Sequence, residues 1–122
     1  MKKLILLAED DFKNRKLFRD LLQASGYGVI EASDGHTAIE YAKIYQPRLI
    51  LMDIRMPGTD GVMAAKALKA DPATAPIPIV AITANAMNGD EERIAKAGFD
   101  AYMTKPVDIR KFLELVATYA EG

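Results

Sequence analysis

Five short aliphatic runs, Leu4 to Ala8, Gly28 to Ala32, Leu49 to Met52, Ile79 to Ile82 and the weaker Ala101 to Met103, recur along the chain with helix-length segments between them. Runs such as Leu49-Ile50-Leu51-Met52 are apolar at consecutive positions, not alternate ones, so both faces of such a strand must be covered. That requirement predicts a parallel sheet with helices on both sides, a doubly wound α/β fold of five βα units. The common five-stranded order is 2-1-3-4-5, in which chain direction reverses at the first and third strands and functional groups gather beyond the carboxyl ends of the strands near that point.

The intervening segments carry the matching helical pattern. Between Phe12 and Ser25, Leu17, Phe18, Leu21 and Leu22 share one face, and Gly26 follows as a stop. Near the end, Ile109, Phe112, Leu113, Val116, Ala117 and Ala120 form an apolar stripe opposite Arg110, Lys111, Glu114 and Thr118. With 122 residues, no repeat, no low-complexity stretch and no Gly/Ser/Pro-rich linker, residues 1–122 are expected to form a single domain. The apolar run after Met1-Lys2-Lys3 breaks off at Glu9-Asp10-Asp11, too soon for a signal peptide, so a cytoplasmic location is expected.

Composition removes several chemistries. The chain has no cysteine and a single histidine, His36, which excludes disulfides, thiolate metal sites, cysteine nucleophiles and multi-histidine metal cages. A net charge of -1 supplies no general attraction to nucleic acid or anionic membranes, and neither is expected as a direct partner. His36 and the acids Asp90, Glu91 and Glu92 read as exposed helix starts, and most of the six methionines as packing.

The strand exits, taken in order, are Glu9-Asp10-Asp11, Ser33-Asp34-Gly35, Asp53, Thr83 and Lys105-Pro106. The second reads only as a turn and helix cap. In the expected strand order the others fall along one edge of the sheet. Clustered carboxylates without imidazole or thiolate suit a small hard dication, and a site completed by water and phosphate suits Mg²⁺ better than Ca²⁺. Asp53, projecting from the most apolar strand, is the best nucleophile candidate and could form an acyl phosphate. Lys105 supplies an ammonium group and Thr83 a hydroxyl donor for phosphoryl oxygens.

These residues resemble the receiver domain of two-component response regulators, CheY-like and flavodoxin-like in fold, from Lys3 to about Ala120. The resemblance is carried by Ile5 to Asp11, Leu51 to Gly61, Ile79 to Ala84, Gly98 to Tyr102 and Lys105-Pro106. It implies that Asp53 accepts phosphate from a histidine kinase or histidine phosphotransfer protein. It also implies that Glu9, Asp10, Asp53 and the backbone carbonyl of Arg55 bind Mg²⁺, with Glu9 where the family often has Asp. Asp11 then caps the first helix, and the peptide before Pro106 is cis.

On phosphorylation, the likeness implies that Thr83 moves toward the phosphoryl group and Tyr102 turns inward. The face of the fourth helix, fifth strand and fifth helix then changes its contacts with a downstream protein. Arg55 and Asn85 flank the site and tend to set the lifetime of the acyl phosphate. The segment Asn85 to Arg93 is similar both to single-domain regulators of the DivK kind and to receivers of hybrid histidine kinases; the start at Met1 and the end soon after Ala120 favour a free-standing chain.

Three other readings fit less well. A haloacid-dehalogenase-like hydrolase needs an acid two residues after its nucleophile, where this chain has Arg55. A flavodoxin-like electron carrier needs a phosphate-cradling loop where Glu9-Asp10-Asp11 would repel phosphate. A receiver that signals by binding alone leaves the set of Asp53, Thr83 and Lys105 unexplained. The expected role is a phosphoacceptor switch that hydrolyses its own phosphate slowly and is not an enzyme acting on a separate substrate.

Overall fold

The consecutive apolar runs do form strands, with Asp53 and Thr83 as the last residues of two of them and Glu9 and Lys105 one residue beyond two others. A computed structural model describes residues 2–56, 58, 60–84 and 90–121. In chain order the elements are β1 (Leu4–Ala8), α1 (Phe12–Ala24), β2 (Gly28–Ala32), α2 (Gly35–Tyr45), β3 (Leu49–Asp53), α3 (Gly61–Ala70), β4 (Ile79–Thr83), α4 (Asp90–Ala97), β5 (Ala101–Thr104) and α5 (Ile109–Glu121). The last three strands each run one residue further than the apolar pattern indicates, because ladder pairing carries Asp53, Thr83 and Thr104 into the sheet. No helix among the described residues is long and apolar enough to cross a membrane.

All strand pairs are parallel and the order is β2-β1-β3-β4-β5. Side chains of a strand alternate between faces, so Ile50 and Met52 of β3 join the cluster under α2, α3 and α4, while Leu49 and Leu51 join the one under α1 and α5. This explains why β3 and β4 are buried at every position. Each fully buried Leu or Ile there contributes roughly 1.5–3 kcal/mol relative to exposure. On the second face Phe18 of α1 stacks on Phe112 of α5 with ring centroids 5.1 Å apart.

Local chemistry starts the helices where expected. Asp11 accepts hydrogen bonds from the N–H groups of Lys13 and Asn14 at the start of α1, and Asp34 accepts from Thr37 at the start of α2. The Lys105–Pro106 peptide is cis. Two helical stripes are narrower than their periodicity indicates. Leu17 and Ile109 are exposed and line an open groove between α1 and the chain entering α5. Ala117 is likewise exposed, lining a groove beside Lys3 and Tyr27. Sheet and neighbouring helices bury Phe18, Leu22, Phe112, Val116 and Ala120 and partly cover Leu21 and Leu113, while Leu17, Ile109 and Ala117 overhang.

Candidate functional site

Ladder hydrogen bonds continue one residue past several strand ends and thereby fix the exits. Glu9 N–H donates to the Ala32 carbonyl, Ile54 N–H to that of Ile82, and Lys105 N–H to that of Thr83. Residues 96 positions apart in the chain therefore meet. Lys105 Nζ lies 2.8 Å from Glu9 Oε1 and 2.9 Å from Asp53 Oδ2. Asp53 Oδ1 accepts the backbone N–H of Arg55 at 3.1 Å. Glu9, Asp10 and Asp53 each offer a carboxylate oxygen, and these oxygens all lie within 4.8 Å of one another.

Asp53 enters the acidic edge as expected but is more enclosed than a projecting strand-end side chain, with 6% of its side-chain surface open. Gly61 N–H bonds back to the Ile54 carbonyl, bringing the start of α3 against the end of β3, and Lys105 covers the carboxylate from the other side. Glu9 is wholly buried, while Asp10 is exposed. Thr83 ends β4 at the same rim and is buried. Asp11 faces away, onto the N-terminus of α1.

The electrostatics of this cluster are unbalanced. With all three carboxylates ionised, the one ammonium would leave two negative charges uncompensated. Burial and the adjacent Asp53 carboxylate push Glu9 from 4.5 up to about 7, against the pull of Lys105. Burial would lower Lys105, but its bonds to Glu9 and Asp53 outweigh that and hold it above its ordinary value. Glu9 Oε1 is ion-paired with Lys105 yet, among the described residues, receives no aligned hydrogen bond. A buried carboxylate oxygen with an unused lone pair beside two further acids is what an oxygen-ligated dication requires.

A pH dependence follows from Glu9. Its folded pKa lies above its unfolded value, so the native state binds the extra proton between about pH 4.5 and 7, and stability falls as pH rises through that window. In chelator, wild-type unfolding free energy should drop by on the order of 2–3 kcal/mol from pH 5 to pH 7.5. Denaturant melts of Glu9→Gln should be nearly flat over that range, and a wild-type curve that climbs instead would contradict the burial of a strained carboxylate.

Tyr102 on β5 does not point inward. It is 38% exposed and its hydroxyl donates to Glu91 Oε1 at 2.7 Å, which also raises its pKa. Nothing in the sequence pattern singled out Glu91 as its partner. Met52, Met56 and Met103 are buried as packing residues, and the His36 side chain is 84% exposed at the start of α2. Asn85 and Met87 lie outside the described residues. Gly61, read from sequence only as part of a motif, turns out to abut the Asp53 backbone, because an added Cβ would sit 2.3 Å from the Asp53 carbonyl oxygen.

Comparison with known proteins agrees with this architecture. Residues 5–117 match the family model of the response regulator receiver domain. The polar-differentiation response regulator DivK of Brucella anthropi is 44% identical over 119 residues, covering 98% of this chain and 97% of that protein. Among solved structures, the receiver domain of the sensor histidine kinase PA1611 from Pseudomonas aeruginosa PAO1, with a magnesium ion coordinated in its active site cleft, superposes with a TM-score of 0.93 at 32% identity and full coverage of both chains. The signal receiver domain of a histidine kinase from Syntrophus aciditrophicus gives 0.92 at 27% identity, covering 98% of this chain and 91% of that one. With its strand order, its acid cluster and a family match spanning nearly its whole length, this chain belongs to the response regulator receiver domains of two-component signalling.

Proposed function

We propose that residues 1–122 act as one phosphoacceptor switch in which Asp53 takes a phosphoryl group from the phosphohistidine of a kinase or phosphotransfer protein. The observation that carries this reading is the convergence on Asp53 of one ammonium group, at 2.9 Å, and two further carboxylates, within 4.8 Å. In the transfer an Asp53 oxygen forms a bond to phosphorus as the histidine P–N bond breaks, and the departing imidazole nitrogen takes up a proton. Glu9, Asp10, Asp53 and the carbonyl of Arg55 hold Mg²⁺, which when bound neutralises the incoming phosphoryl oxygens.

Lys105 stays with the site throughout, balancing the charge of the carboxylates first and of the phosphoryl oxygens afterwards. Thr83 donates its hydroxyl to a phosphoryl oxygen. Its shift opens space behind it for Tyr102, which leaves Glu91 and turns inward, altering the α4–β5–α5 face that a downstream protein reads. Water later cleaves the acyl phosphate slowly, and no separate substrate is turned over.

Acetyl phosphate with Mg²⁺ should add one phosphoryl mass to the wild type and none to Asp53→Asn, as read by intact-protein mass spectrometry. Chelation of Mg²⁺ should abolish the addition. Equal labelling of Asp53→Asn would move the acceptor elsewhere and end this reading.

A further inference from the structure

We propose that Arg15 is a positioning residue of the dication site, its guanidinium fixing the peptide that joins Glu9 to Asp10 so that the two carboxylates converge. This rests on the assignment of Glu9 and Asp10 as metal ligands made above. Arg15 projects from α1 back toward β1 and donates from Nη1 to the Glu9 carbonyl oxygen at 3.0 Å. Its Nε lies 3.3 Å from Glu31 Oε1 on β2, and its guanidinium carbon stands 5.9 Å from the centre of the Phe12 ring. The opposite side of Glu9 is held too, through the bond from its N–H to the Ala32 carbonyl at 3.0 Å.

The Glu9 carbonyl belongs to the Glu9–Asp10 peptide, whose orientation sets where both side chains leave the backbone. Glu9 has further restraints, since its Oε2 accepts from Asp11 N–H and its Oε1 pairs with Lys105. Asp10 does not: among the described residues its exposed carboxylate has no hydrogen bond or ion pair. Its direction therefore depends on the backbone that carries it, and the side chain bonded to that backbone is Arg15. Partners that orient ligands without touching the metal are worth about 10–100-fold in affinity.

Charge alone predicts the opposite effect of removing Arg15. Deleting a cation near a dication site strengthens attraction for the dication, so a weakened affinity can arise only from lost positioning. The experiment measures Mn²⁺ binding to the metal-free chain by electron paramagnetic resonance for wild type, Asp10→Ala, Arg15→Met and Glu31→Gln. Arg15→Met should bind roughly tenfold more weakly than wild type. Glu31→Gln removes the ionic arm but leaves the bond to the Glu9 carbonyl, and should stay within about twofold.

Wild-type affinity in Arg15→Met, or a loss in Glu31→Gln as large as in Arg15→Met, would overturn the inference. If Arg15→Met does not fold, Arg15→Lys replaces it. That variant keeps the charge and stem without the fork, and a severalfold loss is expected where an unchanged affinity would refute the role. Undiminished Mn²⁺ binding by Asp10→Ala would instead remove the metal-site assignment itself, so the two failures are distinct.

Discussion

Replacing Lys105 with methionine should cut the rate of Asp53 phosphorylation by roughly 10²–10³-fold, the usual consequence of losing one charged donor aimed at developing phosphoryl charge. The same change should destabilise the metal-free protein by about 3 kcal/mol at pH 7.5, since removing one member of a buried ion pair leaves the others uncompensated. Here the others are Glu9, fully buried, and Asp53, 4% exposed, both within 2.9 Å of the lost ammonium nitrogen. Two remedies should restore stability. Acidification to about pH 5 lets Glu9 take up a proton, because without Lys105 nothing opposes the upward push of burial and Asp53. Addition of Mg²⁺ neutralises the same charges from outside. Chemical denaturation at both pH values, with and without the metal, reads this directly. A loss relative to wild type that is as large at pH 5 or with Mg²⁺ as at pH 7.5 without it would mean that Lys105 does not hold the carboxylates together.

Gly61→Ala should be the most damaging single-methyl change in the site. The first residue of α3 packs on the Asp53–Ile54 backbone, and its N–H bonds to the Ile54 carbonyl at 2.9 Å. A Cβ there would lie 2.3 Å from the Asp53 carbonyl oxygen, 2.8 Å from Ile54 Cα and 3.1 Å from the Asp53 carbonyl carbon. Every obstacle is main chain, so no side-chain rotation relieves the clash, and either α3 or the end of β3 must shift. The cost should be about 3 kcal/mol, at the upper end for overpacking, lowering the melting temperature by roughly 10 °C. Displacing Asp53 should also slow its phosphorylation by about 10²-fold in whatever fraction folds.

Gly28→Ala is the matched control. Its closest obstacle is Leu4 Cδ2 at 2.8 Å, a methyl group that can rotate away, so this variant should lose about 1 kcal/mol or less. Thermal melts in which the two variants fall by the same amount would show that backbone contact at Gly61 is not the cause.

The parallel sheet and the placement of the acid, hydroxyl and amine at strand exits were legible because they depend on periodicity, which is a property of neighbours along the chain, whereas the strand order rested on the common five-stranded arrangement. Leu49 to Met52 needed two covered faces, and the fold with two covered faces puts Asp53 at an edge. The caps at Asp11 and Asp34 were legible for the same reason, since a cap bonds only to N–H groups two or three residues ahead. Leu17, Ile109 and Ala117 were misread because periodicity marks an apolar face without saying how wide the surface opposite it is. Phe18 and Phe112 meet, and the residues flanking them hang over a groove.

What the amino-acid order determined by itself, then, is the succession of elements and the residue that leaves each one. Tertiary structure alone decided how those residues act on one another: that Glu9 is sealed from water and Asp10 is not, that Lys105 bridges Glu9 and Asp53, that Tyr102 is held outward by Glu91, and that Gly61 leaves no room for a methyl group. Desolvation and Coulomb forces act through space and vary with enclosure and distance. Neither quantity exists until strands far apart in the chain have been laid side by side.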